Sequence, residues 1–447
     1  MMLLNSGGTN MEPGSIGLLI GLSLFVLLAI RVPVAFALAI TAIAFPVFFK
    51  GTLAISSLGE NFFAGLAEFT LLSIPMFIVM GAAVAASPAG KDLYEALDRW
   101  LNRVPGGLII SNIGACSIFA ALSGSSPATC AAIGKMGIPE MRQRGYPDGV
   151  ATGAIAAGGT LGILIPPSIT MIVYGIATQT SIGRLFLAGL LPGLLLTVLF
   201  MGWSLYAAWR SGYSFSAGRQ VSWRDRFTIL PRVIPFLVII VGVLWVLYGG
   251  VATPSEAAGV GAAFCVLLAV VIYRLWQPKH LWMILSTSMK ESVMILMIIA
   301  CSAIFSQMLS SFYITQTVAE SIVAANYGPW TLMITINVFL LVAGFFLPPV
   351  AVILMTAPIL LPIVTQAGFD PYWFAVVFTI NMEIGLITPP VGLNLYVING
   401  IVPDVPLATV LKGALPYMLC MIAAIVLLCI FPEIATWLPE IWMGAAQ

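Results

Sequence analysis

Residues 121–168 read ALSGSSPATCAAIGKMGIPEMRQRGYPDGVATGAIAAGGTLGILIPPS, and residues 344–391 read GFFLPPVAVILMTAPILLPIVTQAGFDPYWFAVVFTINMEIGLITPPV. An offset of 223 residues pairs Pro139 with Pro362, Gly145 with Gly368, Gly162 with Gly385, and Pro166–Pro167 with Pro389–Pro390. The two stretches are therefore read as copies of one module. The sign of their surroundings differs. Lys135, Arg142 and Arg144 lie in the loop region of the first copy, whereas Ile363–Tyr372 in the second has no Lys or Arg. Cytoplasmic loops collect positive charge, so the copies are expected to enter a membrane from opposite sides.

The rest of the chain supports a membrane setting. Of 447 residues, 60% are hydrophobic and 8% charged, too few charges to cover a soluble protein of this size. The fold class expected is an all-α polytopic membrane protein in the lipid bilayer. The net charge of +1 gives no reason to expect nucleic acid. Cys116, Cys130, Cys265, Cys301, Cys420 and Cys429 all lie in apolar runs without a CxxC pair, and read as small packing residues. His280, the only histidine, reads as an ordinary loop residue. Met1–Asn10 lacks the basic start of a signal peptide, Met11 offers a second start, and the first apolar span is expected to direct insertion.

Ten spans are expected at about 14–30, 32–49, 62–86, 149–175, 185–209, 231–249, 256–273, 291–312, 372–398 and 411–432. The blocks 107–134 and 328–362 each hold two limbs joined at a polar or Pro-rich tip, SGSSP and LPPV. Limbs of roughly 14–16 residues are short for a crossing and fit a re-entrant hairpin. Charge agrees. Lys91, Arg99 and Arg103 before the first hairpin, and Lys135, Arg142 and Arg144 after it, put both flanks inside. Asn326–Trp330 and Val364–Tyr372 put both flanks of the second outside. The basic loops Arg210–Arg232 and Arg274–Lys290 come out cytoplasmic, and both termini periplasmic; Lys50 and Arg184 go against the trend. Each half then holds five spans and one hairpin, and the odd count inverts the second half. Lys91–Arg103 carries apolar residues at helical spacing and is expected as an amphipathic surface helix. Ser211–Asp225 reads as a polar linker between halves.

Inverted repeats with Pro- and Gly-broken helices are the pattern of secondary transporters, with the binding site at the breaks. At the first tip, Ser123–Thr129 concentrates hydroxyls beside unwound backbone; such oxygens suit a hard cation, and a helix N-terminus suits an anion. The plain reading of one such motif is close helix packing. The double prolines remove donors and open the carbonyl ladder, where the plain reading is a kink. Glu383 sits one turn before the second break, and a carboxylate within a span is a functional candidate. It could relay protons, or hold the break as a neutral or hydrogen-bonded group, which is the reading preferred. Glu256 after Thr253-Pro254-Ser255 reads as a helix cap.

Across LLSIPMFIVMG, SGSSPATCAAIG, IPEMRQRGY, GTLGILIPPSI, IGRLFLAGLLPG, TPSEAAGVGA and MEIGLITPPVGLNLYV, the chain resembles the large membrane subunit of the tripartite ATP-independent periplasmic (TRAP) transporters. The resemblance implies an elevator-type sodium symporter with two sodium sites and no organic cofactor, in a bacterial inner membrane. Its partners would be a small four-helix membrane subunit and a periplasmic substrate-binding protein that delivers an organic acid such as a C4-dicarboxylate or sialic acid. On that basis Ser123, Ser125, Gly162, Ile165 and Pro167 are expected around one ion, with Gly385, Thr388 and Pro390 around the other. Ser126, Thr129, Ser168, Thr356 and Asn394 are expected at the substrate. The family tip often has a small aliphatic residue where Pro127 stands here. The division expected is 1–106 scaffold and arm, 107–184 first hairpin and broken helix, 185–230 helix and linker, 231–327 second scaffold and arm, 328–400 second hairpin and broken helix, and 401–447 last helix and C-terminus.

Enzyme chemistry is set aside. A serine hydrolase needs a base near Ser125 or Ser126, and there is neither an HExxH nor a P-loop. The rival transport reading is a proton-coupled organic-anion symporter that uses Glu383 and works without a binding protein.

Overall fold

The computed structural model describes residues 12–30, 32–101, 106–210, 222–317, 320 and 328–444. The alternative starts Met1 and Met11, Arg103, most of the expected linker (211–221), Asn326–Tyr327 and the extreme C-terminus lie outside them. Among the described residues every regular element is helical. The first half runs α1 Pro13–Ala29, α2 Val34–Lys50, α3 Leu58–Ala64, α4 Ser73–Ala85, α5 Ala89–Leu101, α6 Gly107–Ser123, α7 Ser126–Gln143, α8 Asp148–Thr160, α9 Ile169–Thr178 and α10 Ile182–Arg210. The second runs α11 Trp223–Tyr248, α12 Pro254–Val271, α13 Pro278–Ser311, α14 Pro329–Phe346, α15 Pro349–Gln366, α16 Pro371–Leu386, α17 Leu393–Ile401, α18 Leu407–Ile430 and α19 Glu433–Met443.

Local chemistry sets these starts. Proline opens α1, α12, α13, α14, α15 and α16, where a missing N–H costs nothing. Thr253 and Glu256 form a capping box: the Thr253 N–H donates to Glu256 Oε2 at 2.8 Å, so Glu256 is the cap that its position suggests. A second capping box, Ser222 with Asp225, starts α11 eight residues before the expected span, inside the stretch read as linker.

Span lengths depart from expectation in three places. The segment 62–86 is a bent pair, turned by 55° between Ala64 and Phe69. The basic stretch 274–290, read as a loop, is helical from Pro278 and belongs to the 34-residue α13. At 1.5 Å per residue that helix is about 51 Å long, so it extends well beyond roughly 30 Å of hydrocarbon. The hairpin limbs are also longer than expected, 17 and 18 residues in the first pair and 18 each in the second. By length and composition seven helices among the described residues could cross a membrane, or eight with the bent pair, and both limbs of the second hairpin are among them. Length alone therefore does not separate a re-entrant limb from a crossing one.

Burial concentrates where the chain is broken. Every residue from Ala151 to Gly175 is buried, as is every residue from Trp373 to Ile387. By contrast α1, α2, α11, α14 and α18 bury one stripe and expose Leu, Val and Phe on the other, as helices facing lipid do. The helix α5 is not a free surface element: Leu93, Tyr94 and Ala96 are buried, and its Asp92 accepts from Tyr273, two residues past α12, at 2.7 Å and lies 3.5 Å from Arg232 of α11.

Candidate functional site: two hairpin tips seated against two broken helices

The first tip is built by a change of handedness. The helix α6 ends at Ser123, Gly124 takes a φ of +57°, and Ser125 is extended before α7 begins with Pro127 in its first turn. Gly suits the left-handed step, which costs a side-chain-bearing residue strain. The tip is held by its own hydroxyls. Ser123 Oγ and Thr129 Oγ1 lie 2.7 Å apart, and both donate toward the carbonyl of Ser125, at 3.3 and 2.9 Å. This cluster faces the first break. The helix α8 ends at Thr160, a 3-10 turn spans Leu161–Ile163, the Pro166–Pro167 bond is cis, and α9 starts at Ile169. Gly162 presses on the tip: a Cβ there would come within 2.6 Å of the Ser125 oxygen and 2.9 Å of Thr129 Oγ1. The Ile169 N–H donates to the Gly124 carbonyl at 3.4 Å.

The second tip repeats the seating with different atoms. Here α14 ends at Phe346, Leu347 is extended, and α15 begins after Pro348. The Val391 N–H, beyond the cis Pro389–Pro390 bond, donates to the Phe345 carbonyl at 3.2 Å. Gly385 lies so close to the Gly344 backbone that a Cβ has no room. The tip has no hydroxyl, and Thr388 Oγ1 donates to the Ile384 carbonyl at 2.6 Å. The breaks also differ in exposure. The first is buried throughout, whereas Pro389, Pro390 and Val391 are exposed.

The expected site residues divide accordingly. Ser123, Ser125, Thr129 and Gly162 come together at the first tip, so Thr129, assigned to the substrate, stands among the residues assigned to the ion. Pro167 reaches the same place by its carbonyl, next to Gly124; Ile165 packs on Gly193 of α10. Gly385, Thr388 and Pro390 lie at the second break. Ser168 is buried and caps α9, with its hydroxyl donating to the Ile163 carbonyl at 2.5 Å and accepting from Met171 N–H at 3.3 Å. Ser126 and Asn394 bond one another, and Asn394 also donates to the Ala156 carbonyl at 3.0 Å. Thr356 lies eight positions past the tip, with its hydroxyl bonded to Val352 of its own helix at 2.7 Å. Glu383 is fully buried and neither of its oxygens has a hydrogen-bond partner among the described residues, so it does not tie the break by a hydrogen bond.

Both tips border one cavity of about 1300 Å³, with Ser125, Ser126, Pro348 and Pro349 on one side and α2 and α13 on the other. Thr170, Lys290 and Glu291 also line it, and sequence reading singled out none of them for a site. For Lys290 and Glu291 the signal is a register within α13 that only the helix beginning at Pro278 reveals. A smaller cavity, about 530 Å³, shares Ser125 and Glu291 and runs along α7. A further omission is the side-chain bond from Asn381 to Asn337, which joins α16 to α14; two asparagines inside apolar spans were its trace in the sequence.

A polytopic helical protein with paired hairpin tips on paired broken helices, facing a shared cavity, has the build of a secondary transporter. The chain belongs to the family described as the tripartite ATP-independent periplasmic transporter, DctM component, whose model matches residues 22–434. It is 38% identical over 390 residues to the C4-dicarboxylate TRAP transporter large permease protein DctM of Pseudomonas aeruginosa, covering 87% of this chain and 90% of that one. It is 30% identical to the sialic acid TRAP transporter large permease protein SiaM of Vibrio cholerae, covering 94% and 98%. The crystal structure of the Alcanivorax borkumensis YdaH transporter superposes with a TM-score of 0.64 over 98% of this chain and all of that one, at 13% identity, a likeness of fold.

Proposed function

We propose that this chain is the permease of a sodium-coupled importer that takes a small organic acid, a C4-dicarboxylate, sialic acid or a similar carboxylate, from a periplasmic binding protein. The observation that carries the reading is the oxygen cluster of Ser123, Ser125 and Thr129 closed against Gly162. Hydroxyl and carbonyl oxygens are the donors a hard monovalent cation takes, and no group of three His, Cys, Asp or Glu side chains that could hold another metal occurs among the described residues. An ion there neutralises the partial negative charge of the freed carbonyls and fixes the tip beside the cavity, where the substrate carboxylate meets the hydroxyl of Ser125. The second ion is assigned to Gly385, Thr388 and Pro390, with backbone carbonyls as donors.

The two hairpins and broken helices, 107–184 and 328–400, then move as one body against 1–106 and 231–327 in an elevator cycle, with the copies inverted in an inner membrane. The small four-helix subunit braces the stationary wall. The test is uptake by proteoliposomes holding this chain with its small subunit and binding protein. An inward sodium gradient should accumulate the acid, and leaving out either partner should stop it. Uptake driven by a proton gradient in sodium-free buffer, or by this chain alone, would favour the independent proton symporter.

A further inference from the structure

The smaller cavity leads away from the first tip along one face of α7. Ser125, Ala128, Ala131, Ala132 and Lys135 line it at helical spacing, while the opposite face, with Thr129, Cys130, Ile133 and Gly137, is buried. The alanines offer no polar atom to a passing anion. After Ser125 the next group on this helix that can hold a carboxylate is Lys135, ten residues and about 15 Å further on. Lys91, in the first turn of α5, lines the same cavity, so the two lysines flank its far end. Among the described residues Lys135 has no ion-pair partner. Lys91 pairs with Glu95 at 3.8 Å, an exposed i,i+4 contact that an incoming carboxylate can displace at little cost. Among the described residues that line the cavity, Glu291 of α13 is the only acidic one.

Resting on the transport reading above, we propose that this vestibule is a second, weaker binding station for the organic anion, with Lys135 and Lys91 as its carboxylate ligands and Glu291 as the opposing charge that keeps occupancy brief. The acid leaves the tip, crosses the alanine face and is held by the lysines before it enters the cytoplasm. The arrangement predicts effects of opposite sign. Removing a lysine weakens binding from the inner side, and removing the glutamate strengthens it. Neither changes capture from the binding protein, which occurs on the other face.

The experiment uses the full complex in proteoliposomes. External binding protein loaded with labelled succinate, or N-acetylneuraminate if that is the acid the parent accumulates, exchanges against unlabelled acid inside. External binding protein engages only right-side-out vesicles, so the internal half-saturating concentration is read directly. The double variant K91Q/K135Q should raise it, by about fivefold for each unit charge acting at contact distance in water. K135R, which keeps the charge, should leave it near the parent value, E291Q should lower it, and 0.5 M salt should shrink both shifts. An unchanged internal half-saturation in the double variant with exchange intact, or a rise in E291Q, overturns the proposal while leaving the transport reading standing. A parent complex that exchanges neither acid counts against the transport reading and takes the vestibule with it.

Discussion

Asn394 and Ser126 lie 268 positions apart and exchange two hydrogen bonds, 2.8 Å from the amide to the hydroxyl and 3.1 Å from the hydroxyl back to the amide oxygen. Both are fully buried. The broken helix of the second copy is thereby fastened to the hairpin of the first. Since Asn394 also donates to the Ala156 carbonyl, three buried hydrogen bonds depend on one side chain.

Replacing Asn394 by leucine should therefore destabilise the complex by about 2–3 kcal/mol, the cost of leaving buried groups unpaired. The melting temperature of the detergent-purified complex is the measurement. A variant that melts with the parent would show that the bonds contribute nothing net.

The first oxygen cluster should set the sodium dependence. Thr129→Val removes one donor at constant shape and should raise the half-saturating sodium concentration by about tenfold, the equivalent of roughly 1.4 kcal/mol for a lost hydroxyl ligand. Initial uptake rates over a sodium titration decide it. A loss of maximal rate at unaltered sodium dependence would place Thr129 with the substrate instead.

The close approaches at the breaks should not tolerate a methyl group. Gly385→Ala would drive a Cβ into the Gly344 backbone, and Gly162→Ala into the Ser125 carbonyl. Both should abolish uptake, with a destabilisation of about 1–3 kcal/mol from overpacking. Gly400→Ala, where a Cβ meets nothing within 4 Å, is the matched control.

Orientation is open to direct labelling. Gln143 and Gln366 are exposed at the ends of α7 and α15. In a cysteine-free background, a cysteine at 143 should react with an impermeant thiol reagent only from the cytoplasm, and one at 366 only from the periplasm. Reaction of both from one face would contradict the inverted repeat.

A charge clamp at the α7 end has a defined pH window. Arg142 lies 3.0 Å from Asp148 and 2.5 Å from Asp404, which joins the end of the first hairpin to the loop before α18. The hydrogen bond from Arg142 holds the Asp404 carboxyl below its ordinary value. A depressed carboxyl contributes its stability above the unfolded value and loses it as pH falls through the folded one. The melting difference between the parent and Asp404→Asn should hold through neutral and mildly acidic pH and vanish only below the usual carboxylate range.

What the sequence disclosed follows from how local each signal is. Both breaks and both tips were legible because Pro and Gly act on their own few residues, so PP at 166 and 389 and the SGSSP and LPPV tips locate them without reference to the rest. The cap at Glu256 was legible for the same reason. The start of α13 was not, because KHLWMILSTSMKES mixes apolar and hydroxylic residues and its Lys279 and Lys290 read as loop charges. The bond from Asn394 to Ser126 was hidden by its span of 268 residues; both were expected to face a ligand, and the fold uses each for the other. Equal motifs also concealed unequal settings, since the flanking helices, which no motif describes, bury the first break and leave the second exposed.

The same long-range fastening has a consequence for how the protein is made. At roughly 5–20 residues per second, the first hairpin leaves the ribosome on the order of 15 to 50 s before Asn394 is synthesised. Over that interval Ser126 and the Ala156 carbonyl have no asparagine to meet. Chains halted short of residue 394 would present this unfinished seam to the proteases that survey the membrane, so the quality of the first half is judged by the arrival of the second.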